Sequence, residues 1–109
     1  MTTKKISTNW GYVKEIVSTK ELGVSLLIIK AGRSLPAHYH KVIIEYEIII
    51  KGDIKVNGKK QREGSISVWK PGKIHEYVND SSKEVKIPCI TIPPYSPSDE
   101  IPIKKTFTA

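Results

Sequence analysis

Residues 32–52 read Gly32-Arg33-Ser34-Leu35-Pro36-Ala37-His38-Tyr39-His40-Lys41-Val42-Ile43-Ile44-Glu45-Tyr46-Glu47-Ile48-Ile49-Ile50-Lys51-Gly52. A glycine opens the run, two histidines alternate with a tyrosine, a carboxylate follows, and a glycine closes it. A second run is spaced by Gly64, Gly72, His75 and Asn79. The two runs together hold all 3 histidines of the chain. Three imidazoles and a carboxylate form a mixed nitrogen and oxygen set suited to Fe, Mn, Ni, Cu or Zn, with positions left over for water or substrate.

Side chains alternate across a strand, so His38 and His40 point to one face and make a bidentate clamp. Glu45 has the opposite parity. A bend after His40 is therefore required, and the next strand returns Glu45 to the same interior. His75 comes from a third strand, after the Pro71-Gly72 turn. The glycines supply the positive φ that such turns need. Glu47 shares the face of Glu45, and an unpaired buried carboxylate is costly. It is a partner of the site, an acid/base group or an alternative ligand. Tyr77 and Asn79 share the parity of His75. They either line the same interior or serve in core packing and a strand-end turn.

Outside these runs the chain reads as short strands. Turn signals recur at Leu22-Gly23, Ala31-Gly32, Gly52-Asp53, Asn57-Gly58, Glu63-Gly64, Pro71-Gly72 and Asn79-Asp80, with β-rich runs at 24–30, 46–51, 54–57, 65–69 and 84–92. No stretch carries ten residues of helical periodicity, so no substantial helix is expected, and an all-β sandwich or barrel is. Asn57-Gly58 signals a type I′ hairpin. Prolines 93, 94, 97 and 102 forbid a central strand beyond about Ile92. The tail, 93–109, is expected to lie extended over the outside of the barrel or over a partner.

At 109 residues, with no internal repeat, the chain is read as a single domain, 1–109, with its metal-binding core at about 24–92. No apolar run approaches the ~20 residues of a membrane helix, and no secretory h-region follows the basic N-terminus. Cys89 has no cysteine to pair with, which agrees with a reducing compartment and a cytoplasmic protein. The thiol is expected to pack as a small hydrophobe within 87–90, without a catalytic role, an inward position near the histidines being the alternative. The net charge of +7 comes from 18 Lys and Arg against 11 Asp and Glu. These are mostly lysines dispersed along the chain, whereas phosphate and base readers favour arginine. No nucleic acid is expected as a partner. The lysines read as solvated strand faces with an attraction for a small anion.

The two runs resemble the paired motifs of the cupins, small jelly-roll β-barrels. The first matches G-x5-HxH-x(3,4)-E-x6-G throughout. The second matches G-x5-PxG-x2-H-x3-N at Gly64, Gly72, His75 and Asn79, its proline displaced to Pro71. The resemblance implies a cupin-type jelly roll in which His38, His40, Glu45 and His75 bind a divalent transition metal. A weaker similarity, at Asn9-Trp10-Gly11-Tyr12 and Ser34-Leu35 before His38, is to the cupin-type mannose-6-phosphate isomerases. Pro36 stands where that group has glutamine, and two more residues separate His40 from Glu45. Trp10 is equally readable as a barrel-packing aromatic.

These readings lead to a metal-dependent isomerase or epimerase acting on a small anionic sugar or sugar phosphate, with Glu47 and Tyr77 as the proton-transfer residues. The alternatives are an Fe(II) dioxygenase and a non-catalytic sugar- or small-molecule-binding module. A homodimer is expected, because the terminal strands of such a barrel leave edges that need cover.

Overall fold

The computed structural model describes residues 4–104. Eleven strands follow in chain order: β1 Lys4–Ser7, β2 Gly11–Ser18, β3 Gly23–Ile29, β4 Ser34–His40, β5 Ile44–Ile48, β6 Ile54–Val56, β7 Lys59–Gln61, β8 Ile66–Trp69, β9 His75–Val78, β10 Val85–Ile92 and β11 Glu100–Pro102. A single 3₁₀ turn at Pro97–Asp99 is the only helical element among the described residues. The strands form two antiparallel sheets. One has six strands in the order β1-β2-β3-β10-β5-β8, and the other five in the order β11-β4-β9-β6-β7. No helix of the described residues is long and apolar enough to cross a membrane.

Alternation puts the sheets face to face. Along β10, Val85, Ile87, Cys89 and Thr91 are buried while Ile90 and Ile92 are exposed. Burying each of the branched apolar side chains is worth roughly 1.5–3 kcal/mol. Val85, Ile87 and Ile29 join Leu35, Ile49, Ile54, Val56 and Tyr77 in the packed core. Farther along the same strands the inward positions change character, with Leu27 and Ser25 on β3 and Cys89 and Thr91 on β10 bordering a cavity instead. On β5 the inward positions are Glu45 and Glu47. The core therefore occupies one end of the space between the sheets and a polar site the other.

Turn chemistry behaves as the sequence requires. Asn57 has φ 50° and Gly58 φ 81°, which joins β6 to β7 through the mirror-image turn that a tight hairpin uses. Gly52 has φ 91°, and a Cβ there would stand 2.9 Å from Val85 Cγ2.

The lysine-bearing β1 and β2 extend the six-stranded sheet, and charge is tolerated there because β1 is an edge strand, fully exposed. Two expectations are corrected. The strand expected at 46–51 is β5, Ile44–Ile48, because the pairing becomes irregular beyond it: Ile49 N–H bonds Ser65 O at 3.0 Å, and Ile50 N–H turns to Lys86 O at 3.1 Å. The segment after Ile92 does not lie outside the barrel. It turns back and adds β11 to the edge of the five-stranded sheet, with Glu100 opposite His40 and Pro102 opposite His38. An edge strand has no partner on its outer side, so the N–H that Pro102 lacks is not missed there. Residues 1–3 and 105–109 of the expected domain and tail lie outside the described residues.

Candidate metal centre

β4 presents His38 and His40 on one face, and β9 pairs beside it with His75 directly opposite His38. Glu45 faces them from β5 in the other sheet. One ligand-type atom from each of these four buried residues lies within 4.8 Å of the others. Glu45 Oε1 stands 3.0 Å from His40 Nε2 and 3.0 Å from His75 Nε2. It is enclosed without a hydrogen bond of normal geometry.

The far nitrogens fix the ring orientations. His38 Nδ1 lies 2.8 Å from the Pro36 carbonyl and His75 Nδ1 3.2 Å from the Lys73 carbonyl. If those nitrogens carry the proton and donate it, each Nε2 is left with a lone pair facing the centre. His75 is further braced by Trp69, which stacks on it with centroids 4.7 Å apart and planes 11° from parallel. His40 Nδ1 has no hydrogen bond; its nearest carboxylate is Asp99 Oδ2, 3.9 Å away.

Electrostatics follow from this packing. Burial, reinforced by the neighbouring His75, lowers His38 to about 4, so its imidazole is neutral near pH 7. Burial also pulls on His40, but the Glu45 carboxylate outweighs it and leaves His40 above its usual value. Burial would raise Glu45, yet His40 and His75 beside it hold the carboxyl well below its usual range. Three converging imidazoles and a carboxylate oxygen without a hydrogen bond fit a divalent cation, which would satisfy all four at once.

Glu47 lies behind Glu45 on β5, 4% exposed. Its Oε1 accepts from Trp69 Nε1 at 2.9 Å and from the Tyr77 hydroxyl. Burial and then the Glu45 charge push Glu47 up, and burial and then Glu47 push Tyr77 well above its usual value. The cavity, about 170 Å³, is bordered by Glu47 but not by Tyr77. Tyr77 thus stands behind the cavity, hydrogen-bonded to Glu47 and the Trp69 indole and edge-on to the His75 ring with centroids 6.2 Å apart. Asn79 is a loop clamp: its Nδ2 donates to Ile29 O and Lys83 O at 2.9 and 2.8 Å, while its Oδ1 accepts from Ser81.

Trp69, Asp99, Glu100 and Tyr95 at the site were not anticipated. Cys89 takes the inward position given as its alternative and does not merely pack as a small hydrophobe, since its thiol donates to Glu45 Oε2 at 3.2 Å. Its parity with Val85 and Ile87 was the available signal. Glu45, Glu47 and Cys89 form a second close group that shares Glu45 with the first. Trp69 pairs opposite Glu45 across β5 and β8. Asp99, Glu100 and Tyr95 come from the proline-rich segment. Asp99 accepts from the backbone N–H groups of Lys41, Val42 and Ile43 at 3.0–3.2 Å. Glu100 Oε1 lies 3.9 Å from His38 Nε2. Thr8 and Val13, before the expected core, and Tyr95 and Glu100, after it, also border the cavity.

Solved structures carry the same architecture. A double-stranded β-helix protein from Klebsiella pneumoniae superposes with a TM-score of 0.74 at 18% identity, over 94% of this chain and 86% of its own. A sugar phosphate isomerase of the cupin superfamily from Silicibacter pomeroyi gives 0.65 at 16%, over 78% and 60%. The fold is the double-stranded β-helix of the cupins. The polyketide cyclase RemF from Streptomyces resistomycificus shares this cupin-type barrel, with a TM-score of 0.78 at 9% identity over 95% of this chain and 82% of its own. No family model and no curated protein matches the sequence. At these identities the likeness establishes the barrel and leaves the chemistry to the residues within it.

Proposed function

We propose that His38, His40, His75 and Glu45 ligate one divalent transition metal, and that the protein is a metal-dependent isomerase or epimerase acting on a small hydroxyl- or carbonyl-bearing metabolite. The observation that carries the enzymatic reading is Glu47: a carboxyl bordering the cavity, beside the four-residue cluster but not part of it, and held from behind by Trp69 and Tyr77. A passive binding site has no need of an oriented acid beside its ligands. The bound ion would polarise adjacent substrate oxygens and acidify the neighbouring C–H or O–H.

Within that frame Glu47 holds and moves the proton. Both of its hydrogen bonds from behind go to Oε1, which fixes the plane of the carboxyl. Tyr77 and Trp69 position Glu47 and do not touch substrate. The assignment of Tyr77 as a proton-transfer residue is accordingly replaced by a positioning one. Leu35, Leu27, Val13 and Ile6 give the cavity apolar walls, and these limit water around the transferring proton.

The test is solvent deuterium incorporation into a panel of aldoses, ketoses and their phosphates by the metal-loaded protein. Incorporation that disappears in Glu47→Gln supports the reading. Full metal occupancy with no exchange in any compound contradicts it and leaves the dioxygenase or the binding module.

We further propose a homodimer formed by the outer face of the six-stranded sheet. Ile90 and Ile92 of β10, Tyr46 of β5, and Ile66 and Val68 of β8 are all exposed on that face, Ile66 by 70%. Ile90 pairs with Tyr46, and Tyr46 with Val68, so the apolar surface is continuous. Lys14 and Lys86 share that outer face by parity, but none of the five patch residues is charged, so a chain of net charge +7 meets a second copy with least repulsion on the patch, and sheets pack face to face in this way. The free thiol of Cys89 supports placing this dimer in a reducing compartment such as the cytoplasm.

A further inference from the structure

The walls of the cavity conflict with the charge of the whole molecule. Although 18 lysines and arginines give the chain its excess positive charge, none of the described residues bordering the cavity is a lysine or an arginine. Four glutamates border it instead. Glu45 and Glu47 are buried and engaged within the site. Glu15 and Glu100 are only partly buried. They come from opposite sheets, Glu15 from β2 and Glu100 from β11, so acidic groups border the cavity from both sides. Ile6, Val13, Leu27 and Leu35 add apolar walls, and the other polar groups outside the ligand cluster, on Thr8, Ser25, Cys89, Thr91 and Tyr95, carry no positive charge.

A phosphate or carboxylate entering this cavity would find no lysine or arginine to pair with beyond the ion itself, and the rest of its charge would lose its water against apolar side chains, which is costly for a charged group. It would also approach two further carboxyl groups. Placing like charge or unpaired charge against the wrong ligand is an effective way to exclude it, and a cleft lined by one sign of charge concentrates the opposite one. Lys4 stands opposite Glu15 across β1 and β2, but it is exposed and does not border the cavity, so its charge is solvated and screened there.

We infer that the ligand of this site is a neutral or cationic small molecule with an apolar portion, selected against anions by Glu15 and Glu100. This rests on the metal reading above and replaces the sugar phosphate as its substrate class. Adjacent oxygens of such a molecule would meet the ligand cluster, its apolar part would lie along Leu27 and Val13, and any ammonium would sit toward Glu100.

The experiment uses the full chain loaded with Co²⁺ and three probes with one chelating diol: catechol, its cationic aminoethyl derivative, and the anionic 3,4-dihydroxybenzoate. Affinity is read from the visible cobalt absorption, with each probe referenced to its affinity for free Co²⁺. The cation and catechol should bind on the order of tenfold or more above the anion at low salt, the gap narrowing as salt is added. Glu15→Gln and Glu100→Gln, each checked for an unchanged melting temperature and cobalt content, should each shrink the discrimination against the anion. Equal or tighter binding of the anion, or discrimination untouched by both substitutions, overturns the inference while leaving the metal centre standing. A protein that takes up no cobalt, or takes it up equally as His40→Ala, fails at the metal reading and removes the inference with it.

Discussion

Glu47 and Glu45 are two residues apart on one strand and share one interior, yet their surroundings push them in opposite directions. Glu45 faces two imidazoles and is held low, whereas Glu47 faces an indole, a phenol and the Glu45 charge and is raised. That division suits Glu45 to ligation and Glu47 to the proton transfer proposed for it. Glu47→Gln should keep the fold and the metal and reduce turnover on the order of 10²–10⁴-fold, the usual contribution of a general acid–base group; steady-state kinetics beside metal analysis checks it. Tyr77→Phe should cost less in kcat, with KM little changed, because it removes a brace and not the proton carrier. Cys89→Ser should retain metal and activity, since a hydroxyl can also donate to Glu45 Oε2; loss of metal in that variant would give the thiol a ligating role. At this scale the sequence was informative wherever parity sufficed. His38 and His40 share a face, Glu47 follows Glu45 inward, and Cys89 follows Val85 and Ile87. The contacts of Trp69 were not legible, because they depend on β8 lying beside β5, which no local pattern specifies.

Among the elements, β11 and the 3₁₀ turn before it depart most from what the sequence suggested. Their prolines forbid a central strand, and the segment was expected to lie over the outside of the barrel or over a partner, but the same prolines leave an edge position open. At the edge beside β4 the segment is accommodated, and it brings Asp99 to the turn between the histidines and Glu45. Asp99 takes three successive backbone N–H groups there, which holds the bend that carries the chain from one sheet to the other. Asp99→Ala should destabilise the protein by about 2 kcal/mol, the range for hydrogen bonds to a charged acceptor, as measured by urea denaturation. Asp99→Asn, which keeps an acceptor oxygen, should recover much of that loss. The central strands were legible because their apolar runs and glycine or asparagine turns agree. The charged edge strands were not, because an exposed strand carries no burial signal.

For the whole molecule, two features set the behaviour in solution: an apolar outer sheet face, and a polar cluster built from both sheets. Sedimentation at tens of micromolar should give a dimer, and Ile66→Lys should shift it to monomer without changing the far-UV spectrum. A wild-type monomer under those conditions would remove the dimer. The cluster joins β4 and β9 of one sheet to β5 of the other, so an ion bound there would tie the sheets together. A ligand at 100 times its Kd adds about 2.7 kcal/mol to stability, enough to raise the melting temperature of a chain this size by roughly 10 °C or more. The claim on which the rest depends is the metal itself. Elemental analysis with native mass spectrometry, on protein purified without a metal-affinity column, tests it most directly. The account predicts one transition-metal ion per chain in the wild type and none in His40→Ala; a wild-type chain that takes up no ion when supplied with one, or an alanine variant that keeps it undiminished, would contradict it.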